Sequence, residues 1–222
     1  MRPAFGSISH WGVFSIMKNH ILWKVAVAGL AGMVSSGTVS AEGDRMSGKE
    51  KFYTCAGCHG IEGYSNAYPT YHVPKLAGQH DDYVVSSLKA YASGARRHGS
   101  MEGNAVSLSD KDMQDIAAYV AGFRAINVKN AVTGNVANGK KKAETSGCGG
   151  CHGEDGNGES PNPRLAGQYE NYLMKALEDY KTGVRKNAIM NGLAGALSNE
   201  DMHDLAAYYS SQARGLSVVQ DN

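Results

Sequence analysis

The chain has 222 residues, with 22 Lys and Arg against 21 Asp and Glu, and its formal net charge is +1. This length suits one large domain or two small ones. The charge balance lacks the basic excess that is typical of nucleic-acid-binding domains, so no nucleic-acid partner is predicted.

Residues 1–41 have the composition of a targeting segment. Lys18 and Lys24 supply positive charge, a short apolar run follows, and small residues that suit cleavage stand at its end. A membrane anchor is the alternative, but a spanning helix needs about 20 apolar residues and this run is shorter. We therefore predict a signal peptide over residues 1–41, with translation starting at either Met1 or Met17.

A five-residue motif occurs twice, as Cys-Ala-Gly-Cys-His at 55–59 and as Cys-Gly-Gly-Cys-His at 148–152. C-x-x-C-H is the attachment signature of a c-type haem. Two thiols one helical turn apart add to the two vinyl groups of one porphyrin, and the His that follows supplies the proximal nitrogen to iron. We therefore predict two covalently bound haem c groups. The predicted thioether and proximal-ligand residues are Cys55, Cys58, His59, Cys148, Cys151 and His152.

Other uses of these cysteines are a zinc half-site, a redox dithiol or a disulfide, and the two pairs together could make a four-Cys zinc site. Zinc does not require a His directly after both second cysteines, and a redox dithiol does not require two copies. Haem is attached outside the cytoplasm, which agrees with an export signal and predicts a periplasmic protein.

The region after the signal peptide is an internal repeat. Residues 74–79 (Pro-Lys-Leu-Ala-Gly-Gln) correspond to 163–168 (Pro-Arg-Leu-Ala-Gly-Gln), an offset of 89, whereas the haem motifs are offset by 93. The first copy therefore has four extra residues, which we place within 64–73. We predict two domains, 42–126 and 127–222.

Each copy is predicted to contain three helices, so the fold class is all-α. The first helix runs into the haem motif, at about 47–55 and about 138–145, and the second follows the repeated Leu-Ala-Gly-Gln. The third starts at Ser109 or Ser198, each followed three residues later by Asp as in a capping box. No convincing strand is found, and residues 125–134 are predicted to be the linker.

The doubled landmarks resemble those of class I cytochromes c, specifically the dihaem cytochrome c4 family, over essentially the whole mature chain. In that fold the first and last helices of a domain cross at a small residue and an aromatic. Gly48 and Phe52 are expected to meet the last helix in the first copy. Gly139 is the counterpart in the second copy, where Ala143 stands in the position of Phe52.

The resemblance implies a methionine as the sixth iron ligand. Its thioether raises the reduction potential of the haem relative to a second His. Met101 and Met190, in loop-like surroundings between the second and third helices, are the candidates. Met113 and Met202 also repeat, but their helical spacing favours a place in the core.

The resemblance also implies that the proximal His donates a hydrogen bond to a Pro carbonyl, here Pro74 and Pro163. Arg96-Arg97 and Arg185-Lys186 precede the methionines, either as partners of the haem propionates or as solvated charges. Four histidines have no counterpart in the other copy and are predicted to lie at the surface or an edge; the alternative, for the first domain only, is a second His ligand to iron from His72 or His98. They are His72, His80, His98 and His203.

Two six-coordinate irons leave no open position for substrate, so we predict an electron carrier, not an enzyme. The resemblance implies a donor that oxidises quinol and an acceptor that is a terminal oxidase or reductase, and the sequence leaves peripheral membrane association open. One alternative is the cytochrome subunit of an exported dehydrogenase, such as a flavin-dependent sulfide dehydrogenase. A dihaem peroxidase or a gas sensor would need a displaceable sixth ligand, which a Met in both copies disfavours.

Overall fold

The computed structural model describes residues 43–220, all within one compact unit, and the signal peptide predicted for 1–41 lies outside them. The first half contains α1 (Arg45–His59), α2 (Asp81–Ala92), α3 (Gly99–Ala105) and α4 (Asp110–Ala121). The second half contains α5 (Val136–Thr145), α6 (Gly149–His152), α7 (Glu170–Thr182), α8 (Ala188–Gly195) and α9 (Asn199–Ser210). A short antiparallel pair joins β1 (Ile126–Asn127) to β2 (Arg214–Gly215). The chain is mainly helical, as predicted.

The first and last helices of each half cross at a glycine. A Cβ at Gly48 would stand 1.9 Å from the carbonyl oxygen of Asp115, and a Cβ at Gly139 would stand 1.9 Å from that of Asp204. Phe52 packs on Tyr119 with ring centroids 5.5 Å apart, which places the aromatic at the crossing as expected. These crossings bring the haem motif at the end of the first helix against the core of its half.

A buried aspartate ties the two crossing helices together in each half. Asp115 accepts a hydrogen bond from the backbone N–H of Asp44, the N-cap of α1, and Asp204 accepts one from the N-cap Asn135 of α5, both at 2.7 Å. The capping boxes predicted at Ser109 and Ser198 are both present, which confirms the starts of α4 and α9.

The first helix differs between the halves. α1 runs unbroken through its C-x-x-C-H motif, but the second half divides this helix into α5 and α6. The crossing glycines, Gly48 and Gly139, are offset by 91 and the motifs by 93, so the second copy has two extra residues between the crossing and the motif. The chain accommodates these two residues by a turn at Gly147, whose left-handed φ of 69° only glycine adopts without cost.

The predictions for the segments around the methionines and the linker need correction. Met101 lies in α3 and Met190 in α8, so both occupy short helices and not loops. The predicted linker contains β1, which was missed because a two-residue strand has no periodicity for a pattern to show. Among residues 43–220, no helix has the length and apolar character that a membrane span requires.

The two halves exchange equivalent contacts across their interface. Buried Gln79 donates to the carbonyl of Arg164 at 3.0 Å and accepts from its N–H at 2.8 Å. Gln168 makes the same pair of bonds with the backbone of Lys75, at 2.9 and 3.0 Å. This reciprocity is that of a pseudo-twofold interface, in which each half offers the same surface to the other.

The C-terminal strap, residues 214–219, crosses from the second half to the first. Ser217 exchanges two backbone hydrogen bonds with Ala77, at 3.0 and 3.2 Å. The Val219 N–H donates to the carbonyl of His59 at 3.3 Å, and the Val219 side chain, 5 % exposed, belongs to the core of the first half. The strap therefore completes the first half with residues from the end of the chain.

Candidate haem sites

Both motif histidines are held by a proline carbonyl. Nδ1 of His59 lies 2.9 Å from the Pro74 oxygen, and Nδ1 of His152 lies 3.0 Å from the Pro163 oxygen, which confirms the expected pairing. A carbonyl can only accept, so Nδ1 carries the proton and Nε2 keeps its lone pair for a metal. Desolvation lowers the pKa of both histidines, which favours this neutral form.

The motif of the second half lines a cavity of about 480 Å³. Cys148, Cys151, His152 and Met190 all line this cavity, so the structure brings the predicted residues of the second site together. Its wall also contains residues of the first half, among them Arg96. One cavity thus spans the interface, and we call it the haem cavity.

In the first half, Cys55 and Met101 pack against one core cluster, and His59 closes the end of α1. Met113 is 4 % exposed and Met202 is 1 % exposed, and both belong to the cores of their halves. Their burial fits the interpretation of these two methionines as core residues.

The residues that position the methionines were missed from the sequence. His98 Nδ1 accepts the Met101 N–H at 3.3 Å, and Asn187 Oδ1 accepts the Met190 N–H at 3.0 Å, so each is the N-cap of its short helix. His98 and Asn187 occupy equivalent places, offset by 89. An alignment of the two copies that looked for side chains able to cap a helix, and not for identical residues, would have found His98 and Asn187.

Two arginines face the haem cavity, Arg185, which is buried, and Arg96, which is partly buried. Arg185 donates to the Tyr83 hydroxyl at 2.8 Å and Arg96 to the Tyr172 hydroxyl at 2.7 Å, which is another exchange between equivalent positions. Each guanidinium also lies 4.5 Å from the ring centroid of a tyrosine in its own half, Tyr180 or Tyr91.

These arginines provide a test of whether the residues fit haem. Among residues 43–220, neither Arg96 nor Arg185 forms an ion pair with a carboxylate. Desolvation acts to raise the pKa of Tyr83, but the positive charge of the two arginines holds this pKa below its usual value. Two cations that are buried or partly buried need an anion, and haem carries two propionates. The donor set of Arg96 and Arg185 therefore fits haem. Arg97 and Lys186 are exposed, which fits their interpretation as solvated charges.

The remaining histidines have structural partners. His72 Nδ1 lies 3.0 Å from Asn171 Oδ1, His80 Nε2 lies 3.0 Å from the Asn157 carbonyl, and His203 Nε2 lies 2.9 Å from the Thr133 hydroxyl. All four cysteines are free of disulfides. Within 43–220, no group of three or more His, Cys, Asp or Glu side chains converges as a metal site.

The comparisons agree with this geometry. The cytochrome c family matches residues 46–123 and again 136–213. A cytochrome c4 of Pseudomonas aeruginosa is 35 % identical over 198 residues, which cover 83 % of this chain and 96 % of that protein. The chain belongs to the cytochrome c4 family. A solved structure of cytochrome c4 from Acidithiobacillus ferrooxidans has a TM-score of 0.63 and 32 % identity, covering 72 % of this chain and 99 % of that one.

Membership of the cytochrome c4 family makes the chain an electron-transfer protein with two haem c groups, one for each cytochrome c domain. Another relative, a thiosulfate dehydrogenase electron acceptor of Stutzerimonas stutzeri, is 32 % identical and covers 71 % of this chain and 78 % of that protein. The relatives of this chain therefore include both cytochromes c4 and an electron acceptor of a dehydrogenase.

Proposed function

We propose that this protein is a periplasmic carrier that passes electrons from a quinol-oxidising complex to a terminal oxidase or reductase. The observation that carries the proposal is the haem cavity, because His152 and Met190 of the second half and Arg96 of the first half line the same space. Such a cavity brings the second redox centre to the interface with the first half, where Pro74, the hydrogen-bond partner of His59, also lines it. Electrons can then enter through one half and leave through the other.

We propose axial ligation by His59 with Met101 in the first half and by His152 with Met190 in the second. Cys55, Cys58, Cys148 and Cys151 would form the thioether bonds. When bound, each haem supplies a one-electron iron couple. The domains would extend over 42–126 and 127–222 after removal of a signal peptide at 1–41, and each contains one of the matched family segments.

The chain's own residues keep the sites rigid, so that little reorganisation accompanies electron transfer. Pro74 and Pro163 fix the tautomer and orientation of the histidines, and such outer partners tune the metal. The N-caps His98 and Asn187 hold the helices that carry the methionines. Arg96 and Arg185 would bind the propionates.

A second candidate function is that of a cytochrome subunit or acceptor for an exported dehydrogenase. The thiosulfate dehydrogenase electron acceptor of Stutzerimonas stutzeri supports it, since that relative spans much of the same double-domain chain. Co-purification of a dehydrogenase, and reduction of this protein by that enzyme faster than by a quinol-oxidising complex, would favour this function.

The first test is spectroscopic. Oxidised and reduced spectra of the mature protein, a redox titration and exposure to carbon monoxide should show two Met-ligated haems of positive potential that do not bind the gas. Met101→Leu and Met190→Leu should each remove the sulfur-to-iron band of one haem and open that iron to carbon monoxide. Met113→Leu and Met202→Leu are matched controls that should keep both bands. Loss of the band in the controls would reassign the ligands, and carbon monoxide binding by the unaltered protein would refute the carrier function.

A further inference from the structure

A second cavity of about 440 Å³ lies where the start of α2 meets the second half. Three arginines line it, Arg124 from the first half and Arg164 and Arg214 from the second. Asp81 is the one carboxylate in its wall. The cavity shares only Gln79 and Arg164 with the haem cavity, so it is a separate space with an excess of positive charge.

Two buried polar atoms in this wall have no partner. Arg164 donates through Nη1 to the carbonyl of Gly78, but its Nε is buried without a hydrogen bond, and so is Oδ1 of Asn157. Asp155 accepts the N–H and the side-chain amide of Asn157, at 2.9 and 2.8 Å. Within 43–220, no carboxylate forms an ion pair with Arg164. Unpaired buried groups are rare in native proteins and call for a partner.

The repeat provides an internal comparison. Lys75 occupies the position that corresponds to Arg164, and its Nζ donates to Gly167, as Arg164 does to Gly78. Lys75 Nζ also lies 2.8 Å from Asn130 Oδ1, 4.4 Å from the Tyr169 ring centroid and 3.9 Å from Glu62 Oε1. The chain thus supplies an acceptor, an aromatic face and a carboxylate to this cation. At Arg164 the charge of Asp155 acts from beyond ion-pair distance, and Nε has no hydrogen-bond partner.

We propose that the second cavity binds inorganic phosphate. Guanidinium groups bind tetrahedral oxyanions through charge-assisted hydrogen bonds, and Arg164 Nε is available for one. Asn157 Oδ1 is an acceptor, because its Nδ2 donates to Asp155 and to the Arg214 carbonyl at 2.8 and 3.2 Å. An acceptor needs a donor on the ligand. Hydrogen phosphate carries an O–H and sulfate carries none, so the site favours phosphate over sulfate.

Bound phosphate would join the two halves, because Arg124 belongs to the first and Arg164 to the second. It would act at the edge of the interface that the haem cavity does not occupy. A ligand that binds only the folded assembly also stabilises it. Phosphate is therefore expected to raise the thermal unfolding temperature of the haem-loaded protein.

The test is calorimetric titration of the haem-loaded mature protein with sodium phosphate and with sodium sulfate, at constant ionic strength set with sodium chloride. The variant Arg124→Gln with Arg214→Gln removes two exposed charges without touching the interface bonds. Lys140→Gln with Lys141→Gln removes the same charge from exposed positions on α5 and is the matched control. Unchanged visible and circular dichroism spectra would establish that both variants fold.

We expect one phosphate per chain, bound at least about tenfold more weakly by the arginine variant, since hydrogen bonds to charged groups are among the stronger ones and the variant loses them. The lysine variant should bind as the unaltered protein does, and sulfate should bind more weakly than phosphate. Equal losses in the two variants would show a diffuse charge effect and overturn the proposal. Absence of saturable phosphate binding, or equal binding of sulfate, would overturn it as well.

Discussion

Replacement of Gly139 by alanine tests whether the crossing of α5 and α9 is as close as the structure shows. The new Cβ would stand 1.9 Å from the Asp204 carbonyl oxygen and 2.8 Å from Cβ of Tyr208. Ordinary contact begins near 3.4 Å, so the helices must separate by about 1.5 Å at this point. Both close neighbours are backbone or Cβ atoms, which cannot swing away. Overpacking of a core typically costs about 1–3 kcal/mol, and we expect a value near the upper end.

A loss of about 3 kcal/mol in a domain of this size lowers the midpoint of thermal unfolding by roughly 10–20 °C. Far-ultraviolet circular dichroism of the haem-loaded protein during heating measures this shift. Gly195→Ala, at an exposed helical position with no atom within 4 Å of the new Cβ, is the control and should change the free energy of unfolding by less than about 1 kcal/mol. A midpoint for Gly139→Ala within about 2 °C of the control would refute the close crossing.

Three further changes probe the interface and the first half. Gln79→Ala should cost about 2 kcal/mol in unfolding free energy, because it leaves the backbone N–H and carbonyl of Arg164 unpaired. Urea unfolding measures the loss. The control is Gln212→Ala, which removes one hydrogen bond of a partly buried side chain within the second half and should cost less, so an equal loss in the two variants would contradict the role of Gln79. Burial acts to raise the pKa of Asp115, but hydrogen bonds from Lys111 and Lys51 hold this pKa below the usual value of an aspartate. The stability that this carboxylate contributes is complete above its pKa in the unfolded chain and is lost as the pH falls through its pKa in the folded protein. Asp115→Asn should therefore flatten the acid side of a plot of unfolding free energy against pH. An unchanged slope would contradict the lowered pKa of Asp115. Val219→Asp puts a charge into the core of the first half and should lower the midpoint of thermal unfolding of that half. Gln220→Asp, at an exposed position, should not lower it. Equal midpoints for the two variants would show that the strap does not belong to the core of the first half.

The sequence was sufficient for the parts of the fold that follow from local chemistry. Ser109 and Ser198 mark the starts of their helices through a capping box that needs only four residues. The haem motifs are recognised by the spacing of their own five residues. Pro74 and Pro163 could be paired with the histidines through a family resemblance, and the contacts are present. These features depend on neighbours in sequence or on a known pattern.

Features that join distant residues were not predictable in the same way. The exchange between Arg96 and Tyr172 links positions 76 residues apart and has no local signature. The short helices around Met101 and Met190 are rich in glycine, whose intrinsic helix propensity is poor, and depend on side-chain caps. The break at Gly147 follows from two inserted residues whose effect is visible only when the crossing glycine and the motif are compared.

The C-terminal strap has a consequence for the order of folding. Val219 and Ala77 are far apart in sequence, yet both belong to the core of the first half. Synthesis delivers Val219 only after α9, so this core cannot close when the first copy of the repeat alone has been made. The repeated halves are therefore not two successive folding units. The first half reaches its final packing only after the second half has been made.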